Sequence, residues 1–293
     1  QPTVTVKKEG KYSGVWREAW SDFIDVLPYL LIGIAIGAYG LTQALLQIPF
    51  GMLSDKIGRK RVITIGLLLF AAGSVIAAMA HSIEMVIVGR LLQGSGAIAA
   101  AIMALTADLT RDEQRTKAMA SIGISIGLSF SVALATGPIL EHWVGLSGIF
   151  WATALLAIAG IGILHLWVPT PKRLMMHTDL GPVPKQFGKV FGNKQIMRLV
   201  LSIMLLHLLL TTSFFALPHA LQDVAGLDKS QHAMAYMPVL LLAFFTMVPF
   251  IIIAEKKRKM KPVFIGAIAV IGLAELGWAF FAHSLTAILI CLW

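Results

Sequence analysis

The sequence predicts an all-α membrane protein, and three observations carry that expectation. Apolar residues fill 57% of the 293 positions and charged residues 13%, with a mean hydropathy of +0.81, far from the composition of a water-soluble domain. Eight apolar stretches, at about 27–50, 62–80, 83–107, 118–140, 146–168, 199–221, 233–254 and 263–282, are long enough to cross a hydrocarbon core roughly 30 Å thick, and a ninth begins at Ser284. They are continuous, rich in Leu and Ala, and lack the period-2 alternation of barrel strands, so helices are expected to satisfy the backbone in lipid.

Taken in order, the chain opens on a polar segment, 1–28, with Lys7, Lys8, Lys11 and Arg17 beside Glu18, Asp22 and Asp25. It is too charged to span and lacks the apolar core of a signal peptide; a substituted N-terminus standing in place of a first helix and a cap on the outer face both fit it. The stretches in 29–168 are expected to form one helical bundle and those in 199–293 part of a second. Between them 169–198 reads as a linker, with Pro169, Pro171, Gly181, Pro182 and Pro184. Inside it Phe187, Val190 and Phe191 alternate with Lys185, Lys189 and Lys194, a pattern open to a short interfacial helix on anionic lipid and to a solvated basic tether. Gln1 in place of Met, and Trp293 inside an apolar run, suggest a chain cut at both ends.

Charge orients the stretches. Alternate loops hold 18 basic residues, among them Lys56, Arg59, Lys60 and Arg61 in the first and Lys256, Lys257, Arg258, Lys259 and Lys261 in the last, whereas the loops between them hold only Lys229. By the positive-inside rule the basic loops face the cytoplasm. The net charge of +9 is thus a topology signal, and no nucleic-acid partner is expected. A lone Cys291 excludes internal disulfides and a cysteine-paired zinc site; neither metal nor cofactor is expected.

The first basic loop carries Gly51, Leu53, Ser54, Asp55, Lys56, Gly58, Arg59 and Lys60 in the pattern G-x-L-[SA]-D-[RK]-x-G-R-[RK]. Gly51 and Gly58 would allow a tight turn and close helix approach, and Asp55 stands where a carboxylate can meet a helix N-terminus. Further on, Arg90, Gln93, Gly94 and Gly96 form R-x-x-Q-G-x-G within the stretch 83–107. These motifs resemble the major facilitator superfamily of transporters, and the wider sequence from about Leu31 onward resembles its YajR-type branch. The resemblance implies two six-helix bundles, of which this chain would show helices two to nine and the start of the tenth. It also implies a conformational latch of Gly51, Asp55, Gly58, Arg59 and Asp108 at the inner mouth, and a proton-coupling role for Arg90. The acid-then-basic run from Glu255 to Lys261 is a degenerate repeat of the first loop, as parallel pseudo-repeats would produce. Gly137 and Pro138 are expected to kink the fourth visible helix, but Ala133, Glu141 and His142 stand where antiporter branches carry further glycines, which weakens the case for drug antiport.

Intramembrane polar residues are costly in lipid and mark candidate paths. Tyr39, Gln43, Gln47 and Gln93 are cavity-lining candidates, and Arg90, His207 and Glu275 are candidates for proton coupling. An enzyme would need a metal-ligand cluster or a buried nucleophile with its base, and H-E-x-x-H and paired intramembrane aspartates are missing. The expectation is a proton-coupled secondary transporter of the inner membrane, acting as a monomer on small amphipathic or drug-like compounds; a non-transporting remnant or membrane scaffold is the alternative.

Overall fold

The computed structural model describes residues 13–171, 184–257, 259–281 and 283–292. Among them the secondary structure is helical: α1 (Ser13–Ile57), α2 (Arg59–Ala78), α3 (Ile83–Ser95), α4 (Ala99–Leu109), α5 (Arg115–Leu166), α6 (Pro184–Gly192), α7 (Lys194–Asp223), α8 (Lys229–Lys256), α9 (Met260–Phe281) and α10 (Leu285–Leu292), with one 3-10 turn at Asp112–Gln114. The eight expected stretches correspond to helices, that at 83–107 in two pieces, and among the described residues six helical spans are long and apolar enough to cross a membrane: Leu30–Ile57, Arg59–Ala78, Ile83–Leu109, Ile139–Leu166, Lys194–Asp223 and Lys261–Phe281.

Local chemistry sets the boundaries. Ser82 caps α3 by accepting the Met85 N–H at 3.4 Å, and Asn193 caps α7 by accepting the N–H groups of Gln195 and Ile196. Gly58, at φ 103°, is the single residue between α1 and α2, a conformation that a side chain would strain. The loop motif is therefore mostly helical: residues 51 to 57 are the last turns of α1, and only Gly58 turns the chain. A second departure lies in α5, whose only non-helical backbone is at Gly145 (φ 66°, ψ 179°). Gly137 and Pro138 sit within unbroken helix; the side chain of Pro138 is outside the described set.

The third departure is the interruption of the stretch 83–107. Its helix ends at Ser95, passes through Gly96, Ala97 and Ile98, and restarts at Ala99. The Gly96 N–H donates to Gln93 at 3.1 Å, and the Ile98 carbonyl accepts from Ile102 at 2.9 Å, so part of the interrupted ladder is reconnected. Ala97 is fully buried, which satisfies the condition that irregular backbone at membrane depth be enclosed by protein or line a cavity.

The chain divides into two compact units, Gln1–Arg111 with Leu146–Leu174 and Asp112–Gly145 with Met175–Trp293. In the first, α1, α2 and α3 pack through missing side chains. A Cβ on Gly94 would lie 2.1 Å from Thr42 Oγ1 and 2.2 Å from the Tyr39 carbonyl, and one on Gly73 would lie 2.4 Å from the Gln93 nitrogen. Backbones this close gain dispersion contacts, a principal source of helix association in lipid. Its apolar core groups Val62 and Ile63 of α2 with Ala101 and Leu105 of α4 and Leu164 of α5. The core of the second unit groups Leu217 and Leu221 of α7 with Ile288 of α10.

Candidate functional site

Arg59, the first residue of α2, gathers the polar groups at one end of the first unit. Its Nη1 forms an ion pair with Asp55, one turn back at the end of α1, and donates to Ser54 Oγ at 2.7 Å. Its Nε donates to Asp108 Oδ2 of α4 at 3.0 Å. Arg59 and Asp108 are 13% and 19% exposed, Asp55 60%, so the bond to Asp108 is the less screened of the two and Asp55 is the arm open to water. Ser54 is fully buried, and its own hydroxyl donates to the Gly51 carbonyl at 2.6 Å. Gly51 faces α4, where an added Cβ would stand 3.3 Å from Ala100. Gly51, Asp55, Gly58, Arg59 and Asp108 are thus brought together, and Ser54, a residue of the loop motif outside the expected latch, joins them through its hydroxyl.

The same end holds two more ties from α2. Lys60 donates to the carbonyl of Val168, just past the end of α5, as a cation near a helix C-terminus should. Thr64 Oγ1 and His165 Nε2 lie 2.9 Å apart.

Deeper in the unit, Arg90 is held from two sides. Its guanidinium lies over the Tyr39 ring, 4.6 Å from the centroid, and its Nη1 donates to Gln93 Oε1 at 2.8 Å. Gln93 Nε2 donates to Ser74 Oγ at 2.7 Å, and Ser74 donates to the Phe70 carbonyl at 2.8 Å. Gln93 and Ser74 are both buried. The contacts cross from α1 through α3 to α2 and give the buried Gln93 and Ser74 side chains hydrogen-bond partners, as a buried polar network in lipid requires. Gln93 is therefore a supporting residue inside the packing rather than a cavity wall. Ser74 is not among the sequence candidates; it stands beside Gly73, whose missing side chain lets α3 approach.

A cavity of about 390 Å³ lies beside the break between α3 and α4. Its walls include Tyr39 and Gln43 of α1, Leu67 and Phe70 of α2, Gly96, Ile98 and Ala99 at the break, Ile102 of α4, and Thr153, Leu156 and Ala157 of α5. Tyr39, Gln43 and Thr153 set polar groups into mostly apolar walls, the composition of a small-molecule site. Gln47 is not among these walls; its Oε1 is buried with no hydrogen-bond partner.

In the second unit Ser213 of α7 donates to the Glu275 carboxylate of α9. His207 Nδ1 is 3.0 Å from the Ile203 carbonyl of its own helix. The degenerate repeat at Glu255–Lys261 spans the end of α8 and the start of α9, and the side chains of Glu255, Lys256 and Arg258 lie outside the described residues. Among the described residues no group of three His, Cys, Asp or Glu side chains could hold a metal ion. The letters G-x-S-x-G do occur, from Gly123 to Gly127, but in the interior of α5, where Ser125 donates to the Ser121 carbonyl at 2.9 Å. The strand-to-helix turn that exposes such a nucleophile is not there.

Three comparisons bear on this geometry. The sequence profile of the Major Facilitator Superfamily matches residues 22–293. Over 246 residues the chain is 52% identical to the Inner membrane transport protein YajR of Escherichia coli (strain K12), covering 84% of this chain and 54% of that protein. Over 229 residues it is 39% identical to an uncharacterized transporter of Buchnera aphidicola subsp. Acyrthosiphon pisum, covering 78% and 58%. It is 30% identical over 151 residues to the class B tetracycline resistance protein of Escherichia coli, covering 50% and 37%. The chain thus spans little more than half the length of the first two relatives. A crystal structure of a D-xylose-proton symporter superposes with a TM-score of 0.61 at 15% identity, covering 89% of this chain and 68% of that one. The inward-open xylose transporter XylE of E. coli gives 0.56 at 16%, covering 89% and 69%. At such identity the structural likeness concerns the fold.

Proposed function

This chain belongs to the major facilitator superfamily, and from that premise we propose that it works as a proton-coupled secondary transporter of the bacterial inner membrane, moving small amphipathic or drug-like compounds outward by alternating access. The observation that carries the reading is the Arg59 cluster. One guanidinium joins the end of α1, through Asp55, to the end of α4, through Asp108. Charge-assisted Arg–carboxylate contacts are directional and strong enough to hold a conformation, yet partly wet ones remain breakable. With the basic loops on the cytoplasmic side, this cluster lies at the inner mouth and acts as a latch. Movement of charge across the membrane field is worth about 2.3 kcal/mol per elementary charge per 100 mV, enough to bias such a contact.

Coupling is assigned to Arg90 and Glu275. Arg90, held by Tyr39 and Gln93, supplies a fixed positive charge within a span. Glu275 is the proposed proton-exchanging group: ionised, its carboxylate accepts the Ser213 hydroxyl; protonated, it can donate to the Ser213 oxygen, whose own proton then turns to the Leu209 carbonyl. His207, bonded through Nδ1, leaves Nε2 as the nitrogen that can exchange a proton. The cavity walled by Tyr39 and Gln43 is the proposed first contact for cargo. The partners are a small-molecule substrate, protons and the bilayer, and the working unit is the monomer. The likeness to a tetracycline resistance protein supports the export of drug-like cargo; the missing glycines around Gly137 and Pro138 count against a strict drug antiporter.

The test is flux. Proteoliposomes holding the full chain and loaded with a fluorescent lipophilic cation are expected to move the dye when a pH gradient is imposed, and not when the gradient is dissipated. Folded protein without proton-linked movement of any tested cation or neutral amphiphile would leave the scaffold reading in place.

A further inference from the structure

The cavity beside the break between α3 and α4 lies at the mid-depth of the spans that wall it. Gln43 stands near the middle of Leu30–Ile57, the break near the middle of Ile83–Leu109, and Thr153 near the middle of Ile139–Leu166. Water is scarce at that depth, so a polar group there needs a partner from protein or ligand. Three polar side chains face this requirement: Tyr39 and Gln43, one turn apart on α1, and Thr153 on α5. Among the described residues neither the Tyr39 hydroxyl nor the Gln43 amide is hydrogen-bonded within the chain.

Two of the three are fixed in place. The Tyr39 ring lies under the Arg90 guanidinium, which Gln93 holds in turn, and the Tyr39 carbonyl is closely approached by Gly94. Thr153 Oγ1 donates to the Phe150 carbonyl of its own helix at 2.8 Å, which leaves its oxygen as an acceptor only. A ligand must therefore bring a donor to Thr153, while Gln43 can accept from it or donate to it. The rest of the wall is apolar, with Leu67, Phe70, Ile98 and Ile102, and no charged side chain is among the described walls. A volume of about 390 Å³ is near the small end of ligand cavities, roughly 300–1,000 Å³. An acyl chain would fill the space but leave Tyr39 and Gln43 unpaired and the Thr153 acceptor unused. We propose that the cavity seats the uncharged end of the cargo, one or two rings carrying a hydroxyl or an amide N–H, and that Thr153 and Gln43 select it over a hydrocarbon of the same shape. This deepens, and rests on, the reading of the cavity as the first contact for cargo.

The experiment uses two photoreactive probes of matched shape, 4-(hydroxymethyl)benzophenone and 4-ethylbenzophenone, on the full chain in proteoliposomes without a gradient. Mass spectrometry then counts label on the peptides that wall the cavity. Each count is divided by that on α9, whose Leu273 and Phe280 are exposed, so that unequal entry of the probes into lipid cancels. The hydroxyl probe is expected to label the walls about fivefold more than its ethyl twin, the worth of one hydrogen bond. Thr153→Val, the same shape without the acceptor, and Gln43→Leu should each bring that ratio down towards one, while wall labelling by the ethyl probe continues and shows the cavity intact. Equal labelling by the two probes in the unaltered chain, a ratio unmoved by both substitutions, or label spread evenly over the walls and α9 overturns the proposal. Because no gradient is needed, the outcome is separable from transport. Selective labelling in a chain that moves no cargo keeps the site and removes the transport reading, whereas transport without selective labelling does the reverse.

Discussion

The two compact units hold their helices together by different means. In the first, 44% of the apolar window of α2 is buried, and the burial is achieved with small residues: Gly66, Gly73, Gly89, Gly94 and Gly96 each leave a space that a backbone or side chain of a neighbouring helix fills. Over that tight contact lies a polar chain from Tyr39 through Arg90 and Gln93 to Ser74. In the second, the corresponding windows of α7 and α9 bury 0%, Gly266 and Gly272 face nothing within 4 Å, and Ser213 with Glu275 joins α7 to α9. The lesson is that apolarity alone does not associate helices in lipid. Close backbone approach and shared polar groups do, and the first unit has both in quantity.

This contrast can be broken at its strongest point. Gly94→Val would place carbon within about 2 Å of Thr42 Oγ1 and the Tyr39 carbonyl, and overpacking of this kind costs roughly 1–3 kcal/mol or more. Gly272→Ala meets open space and gains up to about 1 kcal/mol of helix propensity. Thermal unfolding in detergent should show a large fall in midpoint for the first variant and an unchanged or slightly raised one for the second. Equal falls would dissolve the distinction between the units.

A smaller effect separates the polar contacts. Arg90→Ala leaves the Gln93 oxygen in a buried site without its donor, a loss of about 1–3 kcal/mol, whereas Glu275→Gln keeps an oxygen for Ser213 and should cost well under that, near the ~0.6 kcal/mol typical of interhelical bonds in membranes. Both variants should nonetheless lose proton-linked flux in proteoliposomes while inserting normally. Wild-type coupling in either would reassign that residue to packing.

The smallest expected energy belongs to the latch. Removing the water-exposed arm by Asp55→Asn should cost about 0.2–1 kcal/mol of stability. The same change should shift cysteine accessibility towards the cytoplasmic side, and unchanged labelling from both sides would remove the latch from the mechanism.

How far the chain could be read from sequence follows from what each feature depends on. Spans are legible because hydropathy accumulates over some twenty residues, and the first-loop motif is legible because its residues are neighbours. The same averaging hides the three residues between α3 and α4, whose composition of Gly, Ala and Ile is as apolar as the helices on either side. It also hides that residues 51 to 57 complete α1, since a run of charge reads as loop where the helix continues. Partners chosen by folding were out of reach: Ser74 meets Gln93 across 19 positions, and Lys60 meets Val168 across 108. No local pattern specifies such a pair.

The turn at Gly58 has a mechanical corollary. Because one residue alone joins α1 to α2, the corner between them contains no slack, and a tilt at the foot of one rod must reappear as torque at the foot of the other. A longer, looser bend would absorb the motion like a slipping gear; this one transmits it without backlash.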